Sequence, residues 1–190
     1  MDLTNLPQTK LHDVGDATGA ALGSTRHKLR DEDIDPIFAT LTKHDVRVLH
    51  IIGGNDSALT GLELSEAASQ RNYELQVINV PKTIDNDLVE TDHCPGYGSA
   101  ARFVAQATLG AGRDAKAMGL SSPITIIEVM GRDSGWLAAA ASLYKRDEDE
   151  PPHYVGVPEK ILREEEFLTR IEDAYRSNGY AIAVVGENVR

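Results

Sequence analysis

Five short apolar runs alternate with segments of helical period, and this alternation limits the possible folds more than any other feature of the chain. The runs are residues 46–52 (VRVLHII, closed by Gly53-Gly54), 75–80, 124–129 (ITIIEV), 154–157 and 180–186 (YAIAVVG). Short, β-branched and nearly continuous, they read as buried parallel strands. Between them, residues 33–44 place Ile34, Ile37, Phe38 and Leu41 at i, i+3, i+4 and i+7, with Pro36 early in the helix. Weaker helical patterns cover about residues 58–70, 98–111 and 135–144. A helix from about Glu164 opens with three glutamates at its positive end and stops near Gly179. The charged stretch 145–152 reads as a surface turn. The expectation is an α/β fold, a mostly parallel sheet with helices on both faces. Such sheets bind ligands just past the carboxyl ends of their strands.

Composition narrows the function. Of 190 residues, 41% are hydrophobic, enough for a core, while 30 acidic against 19 basic residues give a net charge of -11. That balance argues against nucleic acid or an anionic membrane as partner. Three Phe, one Trp and six Tyr offer little for base stacking. Cys94 stands alone, which excludes a disulfide framework and a multi-cysteine zinc site. The six histidines, at 12, 27, 44, 50, 93 and 153, are not paired at metal-ligand spacing. No apolar run approaches the ~18 residues of a membrane span, and residues 1–4 lack a signal-peptide pattern, so a soluble, cytoplasmic protein is expected.

The strand ends carry the chemistry. Gly53-Gly54-Asn55-Asp56-Ser57 is either a phosphate-cradling turn or a plain turn with Asp56 or Ser57 as helix N-cap. Pro81-Lys82-Thr83-Ile84-Asp85-Asn86-Asp87 is more demanding: on an extended backbone, Thr83, Asp85 and Asp87 point the same way. Phosphoryl transfer to an alcohol needs a carboxylate to take the proton, a cation to spread phosphoryl charge and oxygen ligands for a metal, and this segment offers most of that set. A solvated turn is the alternative. Met130-Gly131-Arg132 places an arginine where it can grip an anion, or cap its own loop. Pro158-Glu159-Lys160 offers a carboxylate to sugar hydroxyls, although surface charge is the better explanation of Glu159 taken alone.

Taken together and in this order, the segment 18–26 (TGAALGSTR), Gly53–Ser57, Pro81–Asp87, Met130–Arg132 and Pro158-Glu159 resemble the phosphofructokinase family. The resemblance implies phosphoryl transfer to the 1-hydroxyl of fructose 6-phosphate, with Asp85 as the base. Thr83, Ile84 and Asp85, with Met130, Gly131, Arg132 and Glu159, look like the fructose 6-phosphate site. Gly54, Asp56, Arg26 and Lys82 look like the donor-phosphate site, and Lys82 and Asp56 join Asp85 as catalytic positions. Asn55 and Asp87 look like the surroundings of a Mg2+ ion.

ATP-dependent members typically carry glycine where this chain has Asp56 and Lys82. A carboxylate at Asp56 would oppose a nucleotide α-phosphate, and Lys82 would add charge beside pyrophosphate. The resemblance therefore implies pyrophosphate as donor and a homo-oligomeric enzyme. Asn55 stands where an aspartate is common, and Pro123 where many members place an arginine that reaches a neighbouring subunit's sugar phosphate. Nothing before Thr18 resembles the family's glycine-rich opening loop, and the family's distal sugar-phosphate ligands do not follow Arg190. The chain is expected to be cut at both ends, with a leader over 1–17 and the family region over 18–190. The competing readings are an ATP-dependent 6-phosphofructokinase, and a truncated sugar-phosphate-binding or subunit-pairing domain without turnover.

Overall fold

The strands form two parallel sheets rather than the single one expected. In the computed structural model, which describes residues 5–17 and 19–190, Val48–Gly53 (β1) pairs with Gln76–Pro81 (β2), in register from Val48 opposite Gln76 to Gly53 opposite Pro81. Ile124–Val129 (β3), Tyr154–Gly156 (β4) and Ala181–Gly186 (β5) make the second sheet, in the order β3-β5-β4. The periodicity identifies the strands, but pairing partners depend on contacts far apart in sequence, which a local pattern does not carry. Residues 1–4, and Thr18 at the head of the first motif, lie outside the described residues.

The helices divide between the sheets. Asp31–Lys43 (α2) and Asn55–Gln70 (α3) bury Phe38, Leu41, Leu64, Ala67 and Ala68 against one face of β1 and β2. The other face leaves Val48, Ile52, Ile78 and Val80 exposed. Around β5, helices cover both faces. Ile182 and Val184 pack with Ala101 of Tyr97–Met118 (α4) and Leu137 of Trp136–Ala140 (α5). The alternate residues Ala181 and Ala183 meet Ile171 of Glu164–Asn178 (α6), as the two-residue period of a strand requires. In the N-terminal segment Gln8–Asp16 (α1) is helical, with no buried residue.

Element ends differ from expectation for local reasons. The helix α3 begins at Asn55 with Gly54 as its N-cap, so neither Asp56 nor Ser57 caps it; both lie in its first turn. α4 runs seven residues beyond the expected 111, to Met118, through Gly112. A Cβ there would collide with Pro151, so the glycine serves close packing rather than ending the helix. The expected helix over 135–144 is one short α-helical stretch followed by a 3-10 turn at Ala141–Tyr144. No helix among the described residues is long and apolar enough to cross a membrane.

Candidate active site

The segments that follow β1, β2, β3 and β4 converge on a cleft of about 570 Å3 whose wall includes Asn55, Asn86, Asp87, Arg132, Trp136 and Glu159. Asp85 lies behind this wall, beside Arg132. It is 8% exposed, and its Oδ1 is buried without a hydrogen-bond partner. Burial first, and then the charge of Asp87, push the Asp85 carboxyl above its ordinary value; Glu187 adds to the rise, while Arg132 and the Thr83 hydroxyl oppose it. A buried carboxylate among like charges is a strong proton acceptor, as a general base requires.

Arg132 connects the sequence segments. Its Nε lies 3.7 Å from Asp85 Oδ2 and its Nη2 3.9 Å from Asp56 Oδ2, so one guanidinium bridges the ends of β1, β2 and β3. The loop carrying it is tightly built. Gly131 has φ 149°, where a Cβ would strike the Ser134 carbonyl oxygen, and Arg132 itself has φ 51°. The Ser134 hydroxyl donates to the Asp85 carbonyl oxygen at 3.1 Å, joining the loop to the Asp85 segment.

Thr83, Asp85 and Asp87 do not lie on an extended backbone as expected. Asn86 between the two carboxylates has φ 54°, and the chain turns there. Asp87 consequently faces the start of α3, where its Oδ2 accepts a hydrogen bond from Asn55 Nδ2 at 2.8 Å. The Thr83 hydroxyl accepts one from the Asp85 amide at 3.1 Å. Glu159 reaches the cleft from beyond β4 and accepts a hydrogen bond from the Gly135 amide at 2.8 Å, at the start of α5. Among the described residues, no ion pair or side-chain hydrogen bond joins Arg26 or Lys82 to this cluster. Both are exposed.

Reading the sequence missed Glu187. Its Oε1 accepts hydrogen bonds from the Gly131 amide at 3.1 Å and the Arg132 amide at 2.7 Å, fastening the arginine loop to the end of β5. The strand-end rule that singles out the other site residues points to it as well, because it is the first residue past Gly186. Among the described residues no group of three or more His, Cys, Asp or Glu side chains is gathered closely enough to hold a metal ion by itself.

A sequence profile of the family described as "Phosphofructokinase" matches residues 1–190. The chain belongs to the phosphofructokinase family. Over 189 residues the chain is 40% identical to the pyrophosphate--fructose 6-phosphate 1-phosphotransferase of Rhodospirillum rubrum, covering 100% of the chain and 46% of that protein. The structure superposes on the pyrophosphate-dependent phosphofructokinase of Marinobacter aquaeolei with a TM-score of 0.89 at 37% identity, covering 100% of this chain and 48% of that one. An ATP-dependent 6-phosphofructokinase of Amycolatopsis methanolica is 33% identical, over 98% of the chain and 39% of that protein. The chain therefore spans less than half the length of these curated relatives.

Proposed function

We propose that this chain carries the acceptor side of a pyrophosphate:fructose-6-phosphate phosphotransferase. The reaction moves a phosphoryl group from pyrophosphate to the 1-hydroxyl of fructose 6-phosphate, giving fructose 1,6-bisphosphate and phosphate. The observation that carries this reading is the buried Asp85 carboxylate, its Oδ1 unpartnered and Arg132 beside it. As the hydroxyl oxygen bonds to the terminal phosphorus, its proton passes to Asp85. The bond from that phosphorus to the bridging oxygen breaks, and its electron pair leaves with phosphate. Arg132 offsets charge on the phosphoryl oxygens, Thr83 and Ile84 line the approach to Asp85, and Met130, Gly131 and Glu159 bound the sugar-phosphate subsite.

The donor set also fits a hard cation. Asp87 lines the cleft, Asp85 and Asp56 lie 3.7 and 3.9 Å from the Arg132 guanidinium, and Asp85 Oδ1 is orphaned, so substrate phosphates and water would have to supply most of the ligands. Mg2+ is commonly held by one or two carboxylates together with substrate phosphates and water. Asp87 would hold it, with Asn55 orienting Asp87 through their hydrogen bond. Bound there, Mg2+ would neutralise pyrophosphate charge.

Pyrophosphate is the favoured donor because Asp56, close to Arg132, places negative charge by Gly54 at the start of α3 where a nucleotide would carry more. Lys82 and Arg26 complete the donor side in this reading. Residues 18–190 form the catalytic region and 1–17 a leader, consistent with α1 burying none of its residues. The enzyme would act as a homo-oligomer. Sugar-phosphate binding without turnover by this stretch alone is the second reading, favoured by Arg26 and Lys82 standing apart from the Arg132 cluster.

An assay coupled to fructose 1,6-bisphosphate, run with pyrophosphate and with ATP, tests the reading. Turnover with pyrophosphate is expected. Turnover with ATP alone would sink the donor assignment, and calorimetric binding of fructose 6-phosphate without turnover would establish the second reading.

A further inference from the structure

The chain passes from Asp85 to Asp87 through Asn86, a residue the mechanism above leaves unused. Asn86 is 6% exposed, and its φ of 54° lies in the left-handed region, where asparagine is among the best tolerated residues after glycine. Both ends of its side chain are engaged. Oδ1 accepts a hydrogen bond from the Cys94 amide at 2.8 Å, and Nδ2 donates to the Asp92 carbonyl at 3.3 Å. The seam continues in the backbone, where the Thr83 amide donates to the Pro95 carbonyl at 3.3 Å and Thr83 pairs with Gly96 in a parallel bridge. Residues 92–96 lead directly into α4, one of the helices packed on β5.

The consequence is geometric. The left-handed turn at Asn86 separates two neighbouring carboxylates, sending Asp85 to the buried side beside Arg132 and Asp87 across the cleft to Asn55. Its amide side chain anchors that turn to the approach to α4 rather than to solvent. Without the anchor, the Asp85 segment would be held by Thr83 on one side and the Ser134 bond on the other.

We propose that Asn86 is a positioning residue for phosphoryl transfer: by fastening the 83–87 turn to residues 92–96, it aims the Asp85 carboxylate at the acceptor hydroxyl. This inference rests on the reading of Asp85 as the base. Asn86 borders the same cleft, but both ends of its amide are committed to Asp92 and Cys94, so its loss is expected to misalign the base rather than to remove a substrate hydrogen bond. Misplacement by ~1 Å can cost about 100-fold in rate.

Two variants of the full chain separate backbone from side chain. Asn86→Gly keeps the left-handed conformation and loses both side-chain bonds, whereas Asn86→Asp keeps the acceptor for Cys94 and loses the donor. Hydrogen exchange of the Cys94 amide reports the anchor without any need for turnover. It is expected to accelerate about tenfold or more in Asn86→Gly and to stay near wild type in Asn86→Asp. With pyrophosphate and fructose 6-phosphate, kcat of Asn86→Gly is expected to fall about 100-fold with KM values held, and Asn86→Asp is expected to recover part of that loss.

Wild-type kcat in Asn86→Gly with an accelerated Cys94 amide would overturn the inference, since the anchor would then be lost without consequence. An unprotected Cys94 amide in the wild type would overturn it as well. A wild-type protein that turns over neither donor overturns the reading of Asp85 and the catalytic part of the inference together, while the Cys94 exchange still decides whether the anchor exists.

Discussion

Arg132 Nε stands 3.7 Å from Asp85 Oδ2, so an arginine expected in the fructose 6-phosphate site also belongs to the charge environment of the expected base. Arg132→Ala should lower kcat/KM for fructose 6-phosphate by about 100-fold or more, the usual cost of losing one transition-state charge contact. It should also move the pH profile. Arg132 pulls the Asp85 carboxyl down against burial, so without it the carboxyl titrates higher and the acid limb of activity shifts to higher pH. An acid limb unmoved by the substitution would show that Arg132 does not act on Asp85.

Asp85 exchanges stability for function. Its folded-state carboxyl is raised, so the protonated form suits the fold. That stability is complete below the ordinary aspartate value of 3.8 and is lost as pH rises through the higher folded value. Asp85→Asn holds the site neutral at pH 7. It should therefore raise the melting temperature, by ~2–4 °C per kcal/mol recovered, while lowering kcat by about 100-fold or more. Calorimetric melting and the coupled assay on one preparation measure both.

In the pyrophosphate reading, Asp56 and Lys82 set the choice of donor. The double variant Asp56→Gly, Lys82→Gly removes the charge opposed to a nucleotide and the charge that favours pyrophosphate. The ratio of ATP to pyrophosphate kcat/KM should rise by about 100-fold, since like-charge juxtaposition costs several kcal/mol. An unchanged ratio would assign donor choice to other residues.

His153 makes stability depend on pH away from the cleft. Its Nδ1 accepts a hydrogen bond from the Ile182 amide at 2.9 Å, which requires that nitrogen to be unprotonated. Burial is the main cause holding the imidazole below its ordinary value of 6.5, and the nearby Lys145 charge acts the same way, against the Asp149 carbonyl and carboxylate. The stabilisation is therefore present above about 6.5 and is lost as pH falls through the lower folded value. Melting temperatures recorded downward from about pH 7.5 should fall, and His153→Gln should flatten the slope.

Much of the site is legible from the strand ends. Asp85, Asp87, Arg132 and Glu159 all stand a few residues past an apolar run, and the structure gathers Asp87, Arg132 and Glu159 at one cleft with Asp85 beside Arg132. Glu187 obeys the same rule at the end of β5, although its neighbours in sequence give it no motif to stand out from. Asn86 carries no comparable signal, because an asparagine between two aspartates reads as an ordinary polar turn; only its φ and its bonds to Asp92 and Cys94 reveal its use.

Periodicity along the chain places the five strands and the helices α2 to α6, and with them the residues that follow each strand, because apolar spacing and turn chemistry are local properties. The helix α1 has no such signal, since it buries nothing. Only the tertiary structure decided that the strands divide into two sheets, that the turn at Asn86 parts Asp85 from Asp87, and that Glu187 grips the amide of Arg132, 55 residues before it in the chain. That last contact exists because β3 and β5 pair in parallel, which brings Val129 opposite Gly186 and the two succeeding loops together. Pairing energy comes from partners distant in sequence, and no window of a few residues records which partner a strand will take.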